Sequence, residues 1–259
     1  METARRPGRR ERFPGMSWPR TTFYRLCQAI CRAFFRTFYH ARIIHADRVP
    51  RAGGLLVVSN HQSHYDPPLI GSFLPRSLSY LARDSLFRLP GFGWLIRTLG
   101  AHPIKRGTGD TGAMKRAIEL LDAGHAVLVF PEGTRTPDGS IKPFKRGTAV
   151  LIKRANCRVL PVAVEGTYNA WPKGDRPHFH ARHVVAAYGE PIDAEELMAE
   201  GPDKALEFLA LEIDALRLEG RAVLWNRTNG EYPPPGFADD PLDIDAWRAG
   251  TSGYARDRG

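Results

Sequence analysis

From Pro50 onward, the chain alternates short apolar runs with stretches of helical periodicity, and this alternation limits the possible folds more than any other feature. The short apolar runs predict buried strands over residues 55–59, 78–82, 126–130, 159–164 and 184–188. The stretches between them predict helices over residues 67–73, 111–121, 148–153 and 205–218, with a broken apolar helix over 86–99. This order is typical of an α/β fold, so we predict a mixed, largely parallel sheet flanked by helices.

The two ends of the chain differ from this middle part in charge and composition. Residues 1–48 carry eleven arginines against Glu2, Glu11 and Asp47, which makes +8 of the formal net charge of +9. Residues 229–259 are rich in proline, glycine and aspartate. We therefore predict three parts: a basic N-terminal arm with an amphipathic helix at 1–48, an α/β domain at 49–228 and a loosely ordered C-terminal tail at 229–259.

The polar residues of the stretch 21–44 recur three, four or seven positions apart, so they form one stripe of a predicted helix. The members of this stripe are Arg25, Gln28, Arg32, Arg36 and His40. The rest of the circumference is apolar and rich in phenylalanine, as expected of a helix that lies in a lipid interface. The same pattern also fits a helix that packs on its own domain. No window is long and uncharged enough to predict a membrane-spanning helix.

Asn60 and His61 directly follow the first predicted strand, at the carboxyl end where the reacting groups of parallel α/β sheets lie. Asp66 comes five residues after His61, at the start of the next predicted helix. A carboxylate in this position can bond to one ring nitrogen and leave the other free to accept a proton. The residues therefore predict a general base, His61, with an orienting partner, Asp66.

Residues 60–66 are called the histidine box below, and three other interpretations of them stay open. Ser63 could act as a nucleophile, although no strained G-x-S-x-G turn surrounds it. His64 could replace His61 as the base. His61, His64 and Asp66 could also be metal ligands of a hydrolase, but the later histidines form no ligand motif, and we predict no metal.

A second block begins where the predicted strand 126–130 ends. Its residues are Pro131, Glu132, Gly133, Thr134 and Arg135. Gly133 permits a tight turn, and the arginine beside it is suited to holding a phosphate through two parallel hydrogen bonds. Taken alone, the block also fits an ordinary turn with an exposed ion pair.

Together, the two boxes resemble the glycerolipid acyltransferase family, which contains bacterial 1-acyl-glycerol-3-phosphate acyltransferases. The resemblance covers roughly residues 35–190 and includes two weaker blocks, at 100–106 and 159–162. It implies that His61 is the general base and Asp66 its partner. It also implies a pocket for the phosphate and glycerol of an acceptor lipid, made by Arg106, Glu132, Gly133, Thr134 and Arg135, with Pro161 in its wall.

One departure from the family pattern concerns the acceptor. Family members often carry a lysine before the block at 100–106, whereas this chain has Arg83 in the segment 81–87. The positive charge is kept, but the planar fork of arginine would engage a phosphate differently. Arg83 therefore joins the predicted acceptor site and leaves the headgroup open.

The resemblance implies that acyl-CoA or acyl-acyl carrier protein donates the acyl group and that a lysophospholipid, most simply 1-acyl-sn-glycerol-3-phosphate, accepts it. No cofactor is implied. Because few cysteines are present and the N-terminal arginines alternate with phenylalanines, we predict a peripheral or monotopic protein at the cytoplasmic face of the cell membrane. A non-catalytic module that binds membrane or nucleic acid through the basic arm is the remaining alternative. The phenylalanines favour the membrane, so no nucleic acid partner is expected.

Overall fold

A computed structural model describes residues 16–104, 111–155, 157–179, 183–232 and 241–250. Its α-helices are α1 (Trp18–Phe38), α2 (Asp66–Phe73), α3 (Phe92–Thr98), α4 (Thr111–Asp122), α5 (Arg146–Arg154), α6 (Thr167–Ala170), α7 (Ala194–Leu197), α8 (Pro202–Arg227) and α9 (Ile244–Arg248). Its strands are β1 (Arg42–Ile44), β2 (Leu55–Ser59), β3 (Leu78–Arg83), β4 (Ala101–Ile104), β5 (Ala126–Val129), β6 (Arg158–Glu165), β7 (Val185–Tyr188) and β8 (Ile192–Asp193). Short 3₁₀ helices cover Ala46–Arg48 and Asp84–Arg88.

The strands form one mixed sheet in the order β1, β7, β6, β2, β5, β3, β4, with β8 paired to β6. The pairs among β6, β2, β5, β3 and β4 are parallel, whereas β7 runs antiparallel to β6. The predicted mixed, largely parallel α/β fold is therefore confirmed. The parallel strands all end at the same edge of the sheet.

Helices cover both faces of the sheet, which explains why the central strands are apolar without alternation. In β2, Leu55 and Val57 point into one core, which contains residues of α1 and α2. Leu56 and Val58 point into the opposite core, which contains residues of α4, α5 and α8. The apolar run that predicted this strand is therefore buried on both sides.

The N-terminal helix is shorter than predicted. It ends at Phe38 and not near residue 44, because Arg42–Ile44 form strand β1 on the edge of the sheet, paired with β7. Phe35 is buried in the core, so the helix packs on the α/β domain. No helix in the described ranges is long and apolar enough to cross a membrane.

The described part of the C-terminal region differs from the predicted loosely ordered tail. Tyr232, Leu242 and Trp247 are buried, and Asp243 caps α9 by accepting hydrogen bonds from two backbone N–H groups. The prediction relied on the proline- and glycine-rich composition, which gave no weight to these isolated apolar residues. Residues 233–240 and 251–259 lie outside the described ranges, as do residues 1–15 of the predicted basic arm.

Candidate active site

The candidate site lies where the parallel strands end. His61 follows β2, Arg83 ends β3, Glu132 follows β5 and Glu165 ends β6. Neighbouring parallel strands bring these positions together although they are far apart in sequence. The side chain of Asn60 accepts a hydrogen bond from Val164 N at 2.8 Å and donates one to Val164 O at 3.0 Å, which holds the end of β2 against β6.

His61 and Asp66 form the hydrogen bond that their spacing predicts. The Nδ1 atom of His61 lies 2.8 Å from Oδ2 of Asp66. The same oxygen accepts the backbone N–H groups of Gln62 and Ser63, each at 2.7 Å. Asp66 is fully buried, whereas the His61 side chain keeps 18% of its surface exposed. The carboxylate is therefore held in place by the loop, and Nε2 of His61 is left for a substrate.

The second block holds the backbone of His61. Oε1 of Glu132 accepts the His61 N–H at 2.8 Å, and Thr136 N donates to His61 O at 2.8 Å. Oε2 of Glu132 accepts Lys142 N at 3.3 Å. Glu132 is buried, and burial raises its pKa to about 8, although the two N–H groups act in the opposite direction. Its carboxyl group thus bonds to protein backbone on both oxygens, and a contact with the acceptor stays a prediction.

The ring of His61 stacks on the ring of Phe130, with 3.8 Å between centroids and 12° between planes. Phe130 is the residue before Pro131, at the end of the β5 segment. Together with the bond to Asp66, this stacking restricts the imidazole to one orientation. The sequence analysis assigned no role to Phe130, because an apolar residue at the end of a strand gives no sign of its contacts.

Two arginines bring positive charge to the exposed side of the histidine box. Arg135 and Arg83 both act on His64, whose pKa is lowered by burial first and then by the charge of Arg135. Arg135 is half-buried, and its own pKa is lowered by burial, with Asp66 acting in the opposite direction. Among the described residues, Nη1 of Arg135 and Oδ1 of Asp66 have no hydrogen-bond partner. The positive charges of Arg135 and Arg83 therefore favour an anionic group beside the histidines, whereas the unpaired oxygen of Asp66 opposes one.

Most of the remaining predicted residues also lie here. Gly133 adopts a φ of +69°, a conformation that favours glycine, and a Cβ atom there would displace the end of the Lys145 side chain. Thr134 is exposed, and its hydroxyl accepts a hydrogen bond from Lys173 Nζ at 3.2 Å. Pro161 lies in β6, opposite Val58 of β2. Arg106 lies outside the described residues.

The alternatives for the histidine box find little support in the geometry. Ser63 is buried, and its hydroxyl donates to Trp171 O at 2.9 Å, so it is not presented to a substrate. Within the described ranges, no three His, Cys, Asp or Glu side chains are grouped as metal ligands would be. His64 contacts the Trp171 ring, with 4.8 Å between centroids, and has no carboxylate bonded to its ring in the described structure.

A buried polar group behind the box was missed by the sequence analysis. Gln62 Nε2 donates to Glu165 Oε2 at 3.3 Å and to Gly139 O at 3.2 Å. Glu165 also accepts hydrogen bonds from Arg221 and Tyr232. The sequence gives one sign of this group: Glu165 ends the apolar run of β6, and a buried carboxylate needs hydrogen-bond partners.

Comparison with known proteins finds acyltransferases. The family model described as Acyltransferase matches residues 40–165. The chloroplastic 1-acyl-sn-glycerol-3-phosphate acyltransferase BAT2 of Brassica napus is 31% identical over 180 residues, which cover 67% of this chain and 52% of that protein. The lyso-ornithine lipid O-acyltransferase of Pseudomonas aeruginosa is 31% identical over 142 residues, which cover 54% of each chain. The chain thus spans about half the length of these curated relatives.

A solved structure matches over a larger share. The crystal structure of the 1-acyl-sn-glycerophosphate (LPA) acyltransferase PlsC from Thermotoga maritima superposes with a TM-score of 0.61 at 29% identity. The match covers 76% of this chain and 80% of that one. The fold is therefore that of this group of proteins.

Proposed function

This chain belongs to the glycerolipid acyltransferase family, and from this premise we propose that it transfers a fatty acyl group from a thioester donor to the free hydroxyl of a lysophospholipid. The observation that carries the proposal is the 2.8 Å bond between His61 and buried Asp66, beside Arg83 and Arg135 at the end of the parallel strands. A base with an orienting carboxylate and an anion site is what such a reaction needs.

In the proposed reaction, Nε2 of His61 accepts the proton of the acceptor hydroxyl as its oxygen attacks the thioester carbonyl. A C–O bond forms, the C–S bond breaks, and the proton passes from His61 to the departing thiolate. Asp66 stabilises the imidazolium that exists between these two transfers. The products are an ester and a free thiol, on coenzyme A or on the carrier protein, and no acyl-enzyme forms.

We propose that Arg135 and Arg83 bind the phosphate of the acceptor. Arg135 is half-buried, and its Nη1 has no hydrogen-bond partner among the described residues, so no other protein group holds that end of the guanidinium. Lysophosphatidic acid, 1-acyl-sn-glycerol-3-phosphate, fits this site because its phosphate is carried by the carbon next to the one that bears the free hydroxyl, so the arginines and His61 can engage both groups of one molecule. The product would be phosphatidic acid, a precursor in phospholipid biosynthesis.

A different acceptor within the same family is the second candidate. The similarity to a lyso-ornithine lipid O-acyltransferase supports it, because that relative has the same 31% identity as the plant relative, although over 142 residues and not 180. Arg83 is exposed at the end of β3 and would contact the headgroup in either case. The two acceptors differ in whether a phosphate is present.

We propose that the protein acts at a membrane surface as a peripheral or monotopic protein, on the cytoplasmic face. The apolar side of α1 is exposed at Trp18, Leu26, Ile30 and Phe38, and the segment 86–94 exposes further leucines and aromatic residues. Arg20 on α1 donates to the carbonyl oxygens of Arg97 and Thr98 at the end of α3, which connects α1 to the helix that follows the exposed leucines. The described cysteines are free thiols, as in a reducing compartment.

The test is an acyl-transfer assay with purified protein, read by mass spectrometry of the lipid products. Acceptors are lysophosphatidic acid, lyso-ornithine lipid and a monoacylglycerol, each offered with acyl-CoA and with acyl-acyl carrier protein. The proposal predicts phosphatidic acid from the first acceptor with at least one donor. Transfer only to lyso-ornithine lipid would select the second candidate. Donor hydrolysis without ester formation on any lipid would overturn the proposal.

A further inference from the structure

The C-terminal segment, defined as residues 229–232 and 241–250, reaches the candidate site from behind. It lies beyond residues 40–165, which the family model matches. Tyr232 and Trp247 are its most buried aromatic residues, at 7% and 5% exposure. Tyr232 donates a hydrogen bond to Glu165, and Trp247 donates one to Lys142 O. Both acceptor residues are bonded in turn to residues of the candidate site.

The first connection runs from Tyr232 to Gln62. The Tyr232 hydroxyl donates to Oε1 of Glu165, and Oε2 of Glu165 accepts Gln62 Nε2 at 3.3 Å. The backbone N–H of Gln62 in turn donates to Asp66 Oδ2, the oxygen that bonds to His61. Burial and the neighbouring carboxylate raise the pKa of Tyr232 well above its usual value, so its hydroxyl stays a donor at any pH of interest.

The second connection runs from Trp247 to the backbone of His61. The indole Nε1 donates to Lys142 O at 3.2 Å, and the ring packs edge-on against Phe144, 5.4 Å between centroids. Lys142 N donates to Oε2 of Glu132, whose other oxygen accepts His61 N at 2.8 Å. Trp247 therefore holds Lys142, the residue whose N–H anchors Glu132.

The segment is itself held on α8 by charged contacts. Leu242 N donates to Oδ2 of buried Asp214 at 2.8 Å. The guanidinium of Arg248 makes two bonds of 2.7 Å to the carboxylate of Glu207. These contacts attach the segment that carries Trp247 to α8 on both sides of that residue.

We propose that Tyr232 and Trp247 are positioning residues of the acyl-transfer reaction, which act through Glu165 and Lys142 to hold both flanks of His61 in the reactive geometry. The inference rests on the proposed function. Neither residue touches the substrate, so their loss should lower kcat and leave acceptor binding nearly unchanged. A displacement of the base by a fraction of an ångström is enough for a measurable loss of rate.

The test uses Tyr232→Phe, which removes only the hydroxyl, and Trp247→Phe, which removes the indole N–H together with part of the ring volume. Each is expected to lower kcat roughly 10-fold while the KM of the acceptor stays within about twofold of wild type. Tyr24→Phe is the matched control. It also removes one buried tyrosine hydroxyl, which bonds to Leu78 N at the opposite edge of the sheet.

The control separates positioning from general destabilisation. We expect Tyr24→Phe to lower the melting temperature about as much as Tyr232→Phe and to keep the wild-type kcat. Equal kcat losses in the control and the two variants would overturn the inference, as would wild-type kcat in both Tyr232→Phe and Trp247→Phe. If Tyr232→Phe does not fold, Trp247→Phe alone decides between these results.

A second measurement does not depend on activity. The ring N–H proton between His61 and Asp66 is observable by NMR, with its signal identified by its loss in His61→Ala. The inference predicts that the signal shifts or exchanges faster in Tyr232→Phe and Trp247→Phe than in Tyr24→Phe. An unchanged signal in both variants would contradict the inference. Absence of lipid acylation by the wild type would instead contradict the proposed function.

Discussion

Glu132 shows how a single buried carboxyl group can join two loops of a candidate site through bonds to their backbone. Both of its oxygens accept backbone N–H groups, one from His61 and one from Lys142. Below its raised pKa of about 8 the carboxyl group is neutral, and hydrogen bonds of this kind contribute about 0.5–1.5 kcal/mol each, which partly offsets the cost of burying a polar group. The residue therefore couples the turn after β5 to the loop after β2.

The raised pKa of Glu132 predicts a pH-dependent stability. Its pKa in the folded protein is about 8, above the ordinary value of 4.5, so the folded state keeps a proton that the unfolded state has lost. The stability that this group contributes is full below about pH 4.5 and is lost as the pH rises toward 8. The Glu132→Gln variant cannot ionise at this position. As the pH rises across the window from about 4.5 to about 8, the free energy of unfolding of the wild type should therefore fall by a few kcal/mol relative to that of the variant.

Urea unfolding of wild type and Glu132→Gln at the two ends of the window checks this prediction. Other titrating groups are common to both proteins, so their contributions cancel in the difference. A difference in unfolding free energy that is the same at both pH values would show that Glu132 does not carry the shifted proton.

At the residue scale, sequence reasoning was successful where chemistry depends on local spacing. The five-residue separation of His61 and Asp66 was sufficient to predict their hydrogen bond. The stacking of Phe130 on His61 and the bonds of Glu165 were not predictable in this way. They depend on which strands become neighbours and on contacts between segments about 70 to 100 residues apart.

At the scale of elements, α1 turns its polar stripe toward the protein. Gln28 is buried and donates to Gly71 O and Leu74 O, and Arg32 donates to Ser72 O. Arg36 lies over the ring of Phe73. The opposite side of the helix exposes apolar residues, contrary to the usual arrangement in a surface helix. Periodicity predicted the stripe, but it could not say which side would face the protein.

The exposed apolar side of α1 predicts a specific defect in membrane binding. Leu26 is 56% exposed on this helix, and Leu26→Glu should weaken binding to lipid vesicles at least several-fold, because a buried charge opposes insertion. The matched control is Leu211→Glu on α8, where the leucine is 46% exposed on another part of the surface. Vesicle co-sedimentation measures both. Equal losses in the two variants would refute a special role for α1.

At the scale of the whole molecule, positive charge is concentrated in the N-terminal part. Residues 1–48 carry +8 of the formal +9, so the rest of the chain is nearly neutral. An anionic surface would therefore attract the protein by the same end that carries the exposed apolar side of α1. Charge distribution was predictable from the sequence, whereas the packing of the C-terminal segment was not, because its few apolar residues meet partners on distant elements.

This charge asymmetry predicts a salt-dependent contribution to membrane binding. Deletion of residues 1–15 removes five arginines and two glutamates. Binding of the full chain to anionic vesicles should weaken between about 0.05 M and about 0.5 M NaCl, and the shortened chain should show a smaller effect. Binding to zwitterionic vesicles should change little. The same salt dependence in both chains would assign the electrostatic attraction to another part of the protein.

The most direct test of the account is the rate of acyl transfer by His61→Ala and His64→Ala, measured under saturating acceptor and donor. His61 is bonded to buried Asp66, whereas His64 lies three residues away without such a partner in the described structure. We predict that His61→Ala loses about 10²- to 10⁴-fold in kcat and that His64→Ala stays within about threefold of wild type. Full activity in His61→Ala, or the larger loss in His64→Ala, would contradict the assignment of His61 as the base.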